Sequence, residues 1–184
     1  MKKLLLASVL GSMFAAPALA ADAETESHFN RVEARYVSFD DYDPDVYGLS
    51  GRAAFSDDFY VTADYFRHSY DGASLNQMIA GVGYKHQFSN DVAAFVDGNL
   101  GYADGSGGYD ESGYAVQTGL VYSLGESFEL SALLRHIDFD TDTQEYELGA
   151  RFYISESFSL NATYIDGFDD ITMSGYFIGA AYHF

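Results

Sequence analysis

The chain has 184 residues with 28 Asp or Glu against 9 Lys or Arg, a formal net charge of -19, and neither Cys nor Trp. This acidic excess excludes a role that depends on nucleic-acid phosphates, because such binding needs Lys and Arg to displace counterions. The lack of Cys excludes disulfides and thiolate chemistry. An apolar content of 48% and an aromatic content of 17% are too high for a disordered acidic chain, so one folded domain is expected.

The first 20 residues have the pattern of a secretory signal peptide. Lys2 and Lys3 precede an apolar stretch over residues 4–16, and Ala18 and Ala20 satisfy an A-x-A cleavage pattern. We therefore expect Sec-type export of the chain that begins at residue 21. Beyond this leader no apolar run reaches the ~18 residues of a transmembrane helix, although a transmembrane strand needs only about ten.

Short polar segments alternate with longer, mostly acidic ones, as in a series of hairpins. The short segments are 56–59, 89–92, 125–128 and 155–158, and the longer ones are 40–45, 71–74, 104–112, 138–142 and 166–170. Each short segment ends on an apolar residue, which is typical of a tight turn that enters a strand. Four turns and five loops predict ten strands, with eight as the alternative. The predicted spans are 29–39, 46–55, 59–70, 75–88, 92–103, 113–124, 128–137, 144–154, 158–165 and 172–184.

Side chains alternate with period two inside these spans, which indicates β-strands. In the last span one face carries Tyr176, Ile178, Ala180, Tyr182 and Phe184, and the other carries small residues, Phe177 and His183. Such alternation is compatible with a soluble barrel whose apolar face is inside, or with a membrane barrel whose apolar face meets lipid.

Aromatic residues on the apolar face favour the membrane barrel, because they concentrate at the two ends of the strands. The short-turn end has Phe55, Phe59, Phe88, Phe128, Phe158 and Phe184, and the long-loop end has Tyr36, Tyr47, Tyr65, Tyr102, Tyr114, Tyr146, Tyr164 and Tyr176. Val, Leu, Ala and Ile lie between them. Two aromatic girdles around an aliphatic band are expected of strands that cross a bilayer.

The opposite face carries six positive and six negative residues. They are Arg31, Glu33, Arg35, Arg52, Asp64, Lys85, Asp97, Glu129, Arg135, Glu145, Glu147 and Arg151. This balance within a strongly acidic chain predicts a lumen charge network, since enclosed charges are tolerated when they pair and form hydrogen bonds. Glycines on the same face are expected to leave room for these long side chains.

The alternating residues 176–184, which end on an aromatic residue, are similar to the C-terminal signature that the barrel-assembly machinery reads. With the leader and the hairpin repeat, the chain resembles the small Gram-negative outer-membrane β-barrels of the OmpA/OmpX-like, porin-like family. The resemblance implies an all-β, antiparallel up-and-down barrel in a Gram-negative outer membrane. It also implies contact with outer-membrane lipid and lipopolysaccharide, and with the assembly machinery during biogenesis. Ten strands, rather than the eight of the best-known small members, depart from that pattern.

This interpretation divides the chain into three parts. Residues 1–20 are the signal peptide, residues 21–27 are a short N-terminal periplasmic segment, and residues 28–184 are the barrel. Small barrels keep their short turns in the periplasm. The acidic loops are therefore expected at the cell surface.

Few residues suggest enzymatic or metal chemistry, and we expect neither an enzyme nor a cofactor. His68 and Ser69 are adjacent in a strand and point to opposite faces, whereas His136 and Asp138 share a face at a rim where polar residues are expected anyway. Four acidic residues, Asp40, Asp41, Asp43 and Asp45, form the main candidate cluster for a divalent cation. Calcium or magnesium bound diffusely at the acidic loops is a further expectation.

The function predicted from these features is a structural or surface-interaction barrel with a charge-paired, largely plugged lumen and acidic loops. It would conduct at most as a narrow, cation-preferring leak. A small-solute porin is the first alternative, and a soluble periplasmic β-barrel that binds a ligand is the second. The pattern specifies neither a solute nor an oligomeric state.

Replacing the terminal aromatic residue tests the proposed assembly signature. We expect Phe184→Asp to slow membrane insertion, because the variant loses both an interfacial anchor and the similarity to the signature. The measurement is the yield of heat-modifiable protein in the outer-membrane fraction, and an unchanged yield would contradict the signature.

Overall fold

The structure, a computed structural model, describes residues 24–39, 45–70, 72–168 and 174–184. Its strands are β1 (Asn30–Phe39), β2 (Asp45–Ala54), β3 (Phe59–Tyr70), β4 (Ala73–Gln87), β5 (Val92–Gly105), β6 (Tyr109–Leu124), β7 (Phe128–Asp138), β8 (Asp142–Ser155), β9 (Phe158–Gly167) and β10 (Gly175–His183). Each strand pairs with its neighbours in sequence, and β1 pairs with β10 to close the barrel. The predicted antiparallel up-and-down barrel of ten strands, rather than eight, is confirmed. Closure satisfies every strand edge, as a sheet surrounded by lipid requires.

The predicted signal peptide lies outside the described residues, and so do Asp40, Asp41 and Asp43. No helix within the described ranges is long and apolar enough to cross a membrane. Residues Glu24–Phe29 form a short 3-10 helix ahead of β1, which we call the N-terminal 3-10 helix. Its last residues, His28 and Phe29, are buried.

The prediction of a long acidic loop over residues 104–112 is wrong. β5 continues to Gly105 and β6 begins at Tyr109, so only residues 106–108 form the turn. Gly107 and Gly108 have φ values of 82° and 88°, a conformation that other residues rarely adopt. Two consecutive glycines therefore allow a tight reversal, and the acidic residues on either side belong to paired strands.

The outward face is apolar over most of its height. Its exposed large side chains include Val82, Val96, Leu100, Val116, Leu120, Leu134, Leu148, Leu160 and Ile178. Exposed aromatic residues lie at both ends, as expected. The separation of Phe from Tyr is incomplete, because Tyr84, Tyr122 and Tyr182 join the short-turn girdle, and Tyr102 is buried. Both ring types suit a membrane interface, so height alone does not select between them.

Four inward glycines, at positions 48, 83, 101 and 119, provide recesses for aromatic rings rather than for long charged side chains. A methyl group added at Gly83 would lie 2.1 Å from Tyr60 Cζ, and one added at Gly48 would lie 2.6 Å from Phe66 Cε1. The rings therefore lie against backbone that carries no side chain. This packing fills a narrow lumen, and it resembles the covering of strand glycines by neighbouring aromatic residues in other sheets.

Substitution of one inward glycine tests this packing. Gly83→Ala should lower the free energy of unfolding by about 1–3 kcal/mol, because the new methyl group overlaps the Tyr60 ring. Gly98→Ala is the matched control, since a methyl group there meets no atom within 4 Å. Urea unfolding of the refolded barrel would measure both variants, and an equal loss in the two would show that the recess does not matter.

Candidate functional site: the lumen

The N-terminal 3-10 helix closes the short-turn end of the lumen. His28 Nδ1 lies 2.7 Å from Glu129 Oε1, and Arg52 Nη1 lies 2.6 Å from His28 Nε2. Ser27 Oγ lies 2.7 Å from the Tyr153 hydroxyl, which itself donates to Glu129 at 2.9 Å. The helix is thus bound to side chains of the paired strands β7 and β8 and to a side chain of β2 on the opposite side of the barrel.

The two contacts of the His28 ring define its charge and tautomer. A guanidinium only donates, so Nε2 accepts from Arg52 and Nδ1 carries the proton donated to Glu129. Burial holds the pKa of His28 well below its usual range, and repulsion by Arg31 acts in the same direction. His28 is therefore a neutral connector between a cation and an anion.

An aromatic cluster lies immediately inside this closure. The Phe29 ring is 5.0 Å from the Tyr60 ring and 5.9 Å from the Phe95 ring, measured between centroids. The Arg52 guanidinium lies 4.5 Å from the Phe95 centroid, and Lys85 Nζ lies 5.1 Å from the Phe29 centroid. Cations at these distances interact favourably with ring faces. The cluster occupies the bore beside the N-terminal 3-10 helix.

Glu33 is the centre of the largest ion cluster. Its buried carboxylate accepts hydrogen bonds from Arg35 and Arg151, and Arg31 Nε lies 3.4 Å away. Arg151 also lies 3.5 Å from Glu129. Three guanidinium groups share one fully buried carboxylate, so its removal would leave several buried cations without compensation.

A second ion cluster lies closer to the long loops. Arg135 donates to Glu145 at 2.5 Å, to Glu147 at 2.6 Å and to Gln117 at 3.0 Å. One cation therefore holds two carboxylates, which leaves this level of the lumen negative. Asp64 lines the same central cavity as Arg35 and Arg135.

Asp97 has a different environment from the one predicted. Its buried carboxylate accepts hydrogen bonds from the Tyr60 hydroxyl at 2.6 Å, Asn99 Nδ2 at 2.6 Å and Gln117 Nε2 at 2.9 Å. Neutral donors supply these contacts, where the sequence predicted pairing of charges. Three good hydrogen bonds also stabilise a buried carboxylate.

Little space is left at the centre of the lumen. The cavity between the two ion clusters has a volume of about 40 Å³, enough for only a few water molecules. Toward the long loops the bore widens into a cavity of about 310 Å³, which we call the outer cup. The described part of the bore is thus narrow in the middle and wider at its outer end.

Apolar side chains line most of the outer cup. They are Val37, Val46, Phe66, Ile79, Ile137, Phe139, Ile165 and Phe177. Sequence analysis missed them, although all except the loop residue Phe139 share the alternation of the inward charged residues. They lie farther toward the long loops than the residues of the Glu33 cluster. Their inward position in the alternation was the sequence signal that could have identified them.

The remaining candidate residues lie at the rim or on the outward face. His68 borders the outer cup, and Ser69 lies on the opposite face of β3. Tyr176, Ile178 and Tyr182 of the C-terminal signature are exposed outward. Phe184 packs near Ala53 and Ala63, and its backbone N–H donates to Asn30 at 3.2 Å. The last residue thus contacts the first strand.

Known proteins share the architecture. No protein-family model matches the chain, and no curated protein does. The NanC porin aligns with a TM-score of 0.58 and 7% identity, over 83% of this chain and 100% of that one. The KdgM porin aligns with a TM-score of 0.53 and 10% identity, over 84% and 99%. The fold is that of outer-membrane β-barrel proteins. At these identities the likeness concerns the fold alone.

Neutralising the central carboxylate tests the ion cluster. Glu33→Gln should lower the free energy of unfolding by about 3–5 kcal/mol, because Arg31, Arg35 and Arg151 lose a shared counter-charge. Glu126→Gln, in an exposed turn, should change it little. Urea unfolding in lipid vesicles would measure both, and a small effect at Glu33 would show that the cluster is compensated elsewhere.

Proposed function

We propose that this protein is an outer-membrane scaffold that presents acidic loops on a barrel with a closed lumen, and that it conducts at most as a narrow, cation-preferring leak. The observation that carries the proposal is the narrow, filled centre of the bore, where the cavity between the two ion clusters measures only about 40 Å³. The N-terminal 3-10 helix, the aromatic cluster and the two ion clusters follow one another along its axis. Paired ions and their hydrogen bonds occupy the space that a water column would need.

The outward face supports a membrane location over a soluble ligand-binding barrel. Large aliphatic side chains cover the middle of the barrel, and aromatic girdles flank them at both ends. A soluble protein rarely exposes an apolar surface of this extent. A bilayer would cover it.

The arrangement of charge along the lumen supports the cation preference. Lys85, Arg31, Arg52 and Arg151 lie toward the short turns, whereas Glu145 and Glu147 share a single Arg135 toward the long loops. Asp104, Asp110 and Asp140, at the strand ends and in a turn on the same side, extend this negative field. An approaching cation would therefore concentrate at the outer mouth, and an anion would be repelled.

A small-solute porin remains the alternative, and the fold shared with the NanC and KdgM porins favours it. It would require the filled part of the bore to rearrange. The two proposals therefore differ in one measurable property, which is the conductance of the folded barrel.

Planar-bilayer recording of the refolded protein tests the closed lumen. We expect no resolved porin-sized steps from the wild type. The double variant Arg35→Ala, Arg151→Ala should show an increased, cation-selective leak, because it removes two side chains that fill the constriction while leaving Glu33 negative.

Arg67→Ala is the matched control, since this exposed arginine lies on the outward face of β3. Its conductance should equal that of the wild type. Large, anion-selective steps from the wild-type protein would overturn the closed-lumen proposal and support the porin.

A further inference from the structure

A cluster of possible metal ligands lies outside the lumen, on the rim of the β7–β8 hairpin. His136, Asp138 and Asp142 each place one donor atom within 4.8 Å of the donors of the other two. His136 and Asp138 are half-buried and Asp142 is exposed. One imidazole and two carboxylates therefore converge on a point that solvent can reach.

Strand geometry brings these three residues together. Asp138 and Asp142 are directly opposite each other at the end of the hairpin. His136 precedes Asp138 by two residues in the same strand, so both side chains point to the outward face. The charged residues of the lumen have the opposite parity on β7 and β8, and the cluster is therefore separate from the two ion clusters inside.

Two aromatic residues hold the cluster in place. Phe139, the first residue after β7, points into the outer cup, and a methyl group added at Gly101 would lie 2.5 Å from its Cζ. The hairpin tip is thus anchored inside the barrel. Tyr114 lies opposite Asp138 in the register, and its hydroxyl donates a hydrogen bond to that carboxylate. The centroid of its ring lies 6.0 Å from that of the His136 ring.

The register imposes an electrostatic cost that a bound cation would remove. Like charges directly opposite each other across an antiparallel pair are destabilising. The nearby imidazole does not compensate the two carboxylates unless it is protonated. A neutral imidazole is instead a ligand for a metal ion.

The donor set indicates which ions would bind. Imidazole suits zinc, copper, iron and nickel, whereas calcium and magnesium prefer oxygen ligands alone. Zinc binds nitrogen and carboxylate oxygen at about 2.0–2.2 Å, so the three donors would have to approach one another by roughly an ångström. Side-chain rotation of an exposed aspartate provides that movement.

We propose that His136, Asp138 and Asp142 bind one divalent transition-metal ion, with zinc as the representative. Three protein ligands leave at least one coordination position open. This position faces outward at the rim, where a water molecule or a phosphate oxygen of a lipid headgroup would complete the shell. Tyr114 orients the Asp138 carboxylate and acts as a positioning residue.

Titration calorimetry with Zn²⁺ on the refolded, untagged protein tests the site. The wild type should bind one ion per chain. His136→Gln and Asp142→Asn should each weaken this binding by at least about tenfold, the range expected when a metal site loses a supporting group. A Co²⁺-loaded sample should show a visible absorption band that His136→Gln abolishes, which a role in protein stability alone would not explain.

Asp140→Asn and Asp110→Asn are the matched controls, since both remove a carboxylate near a loop without touching the cluster. They should bind Zn²⁺ within about twofold of the wild type, and heat-modifiable gel mobility would show that every variant is folded. Equal binding by His136→Gln and the wild type would overturn the proposal. Binding of Ca²⁺ as tight as that of Zn²⁺, insensitive to His136, would also overturn it and indicate a diffuse acidic surface. A conducting lumen would leave the site unaffected, because the two proposals concern opposite faces of the sheet.

Discussion

Charged side chains enclosed in a bore too narrow for bulk water are the constraint on which this structure depends. Closure of ten strands turns half of all strand side chains inward, where a charge without a partner would be costly. The chain meets this constraint in several ways. Glu33 is shared by three arginines, Arg135 holds two glutamates, and Asp97 is bound by neutral donors. The inward polar groups pair with one another through salt bridges and hydrogen bonds. The outward face of the strands can therefore be apolar.

The count of turns and loops predicted the strand number, the family resemblance implied the closed antiparallel topology, and the period-two pattern predicted which side chains share a face. These features depend on local alternation and on turn residues, which are written directly in the sequence. The length of the β5–β6 hairpin was harder to predict, because Asp104, Asp110 and Glu111 resemble loop residues. Their position beside Gly107 and Gly108 places them in extended, paired strands.

Contacts across the barrel could not be predicted in this way. Alternation identifies the residues that point inward, but not which of them meet, since that depends on the stagger of strands far apart in sequence. The hydrogen bond from Arg151 to Glu33, for example, joins residues 118 positions apart. The cluster of His136, Asp138 and Asp142 also could not be predicted from alternation alone. Asp142 joins His136 and Asp138 only through the register of the hairpin, whereas the sequence pattern had linked His136 to Asp138 alone.

The N-terminal 3-10 helix has a consequence for the order of folding. Its contacts with Glu129, Tyr153 and His183 join residues separated by 101, 126 and 156 positions. Forming contacts at such separations has a high entropic cost, because a long loop must be closed, and such contacts form slowly. The earliest described residues of the chain therefore reach their native positions only after β7, β8 and β10 have been built. Closure of the short-turn end therefore depends on strands that come late in the chain.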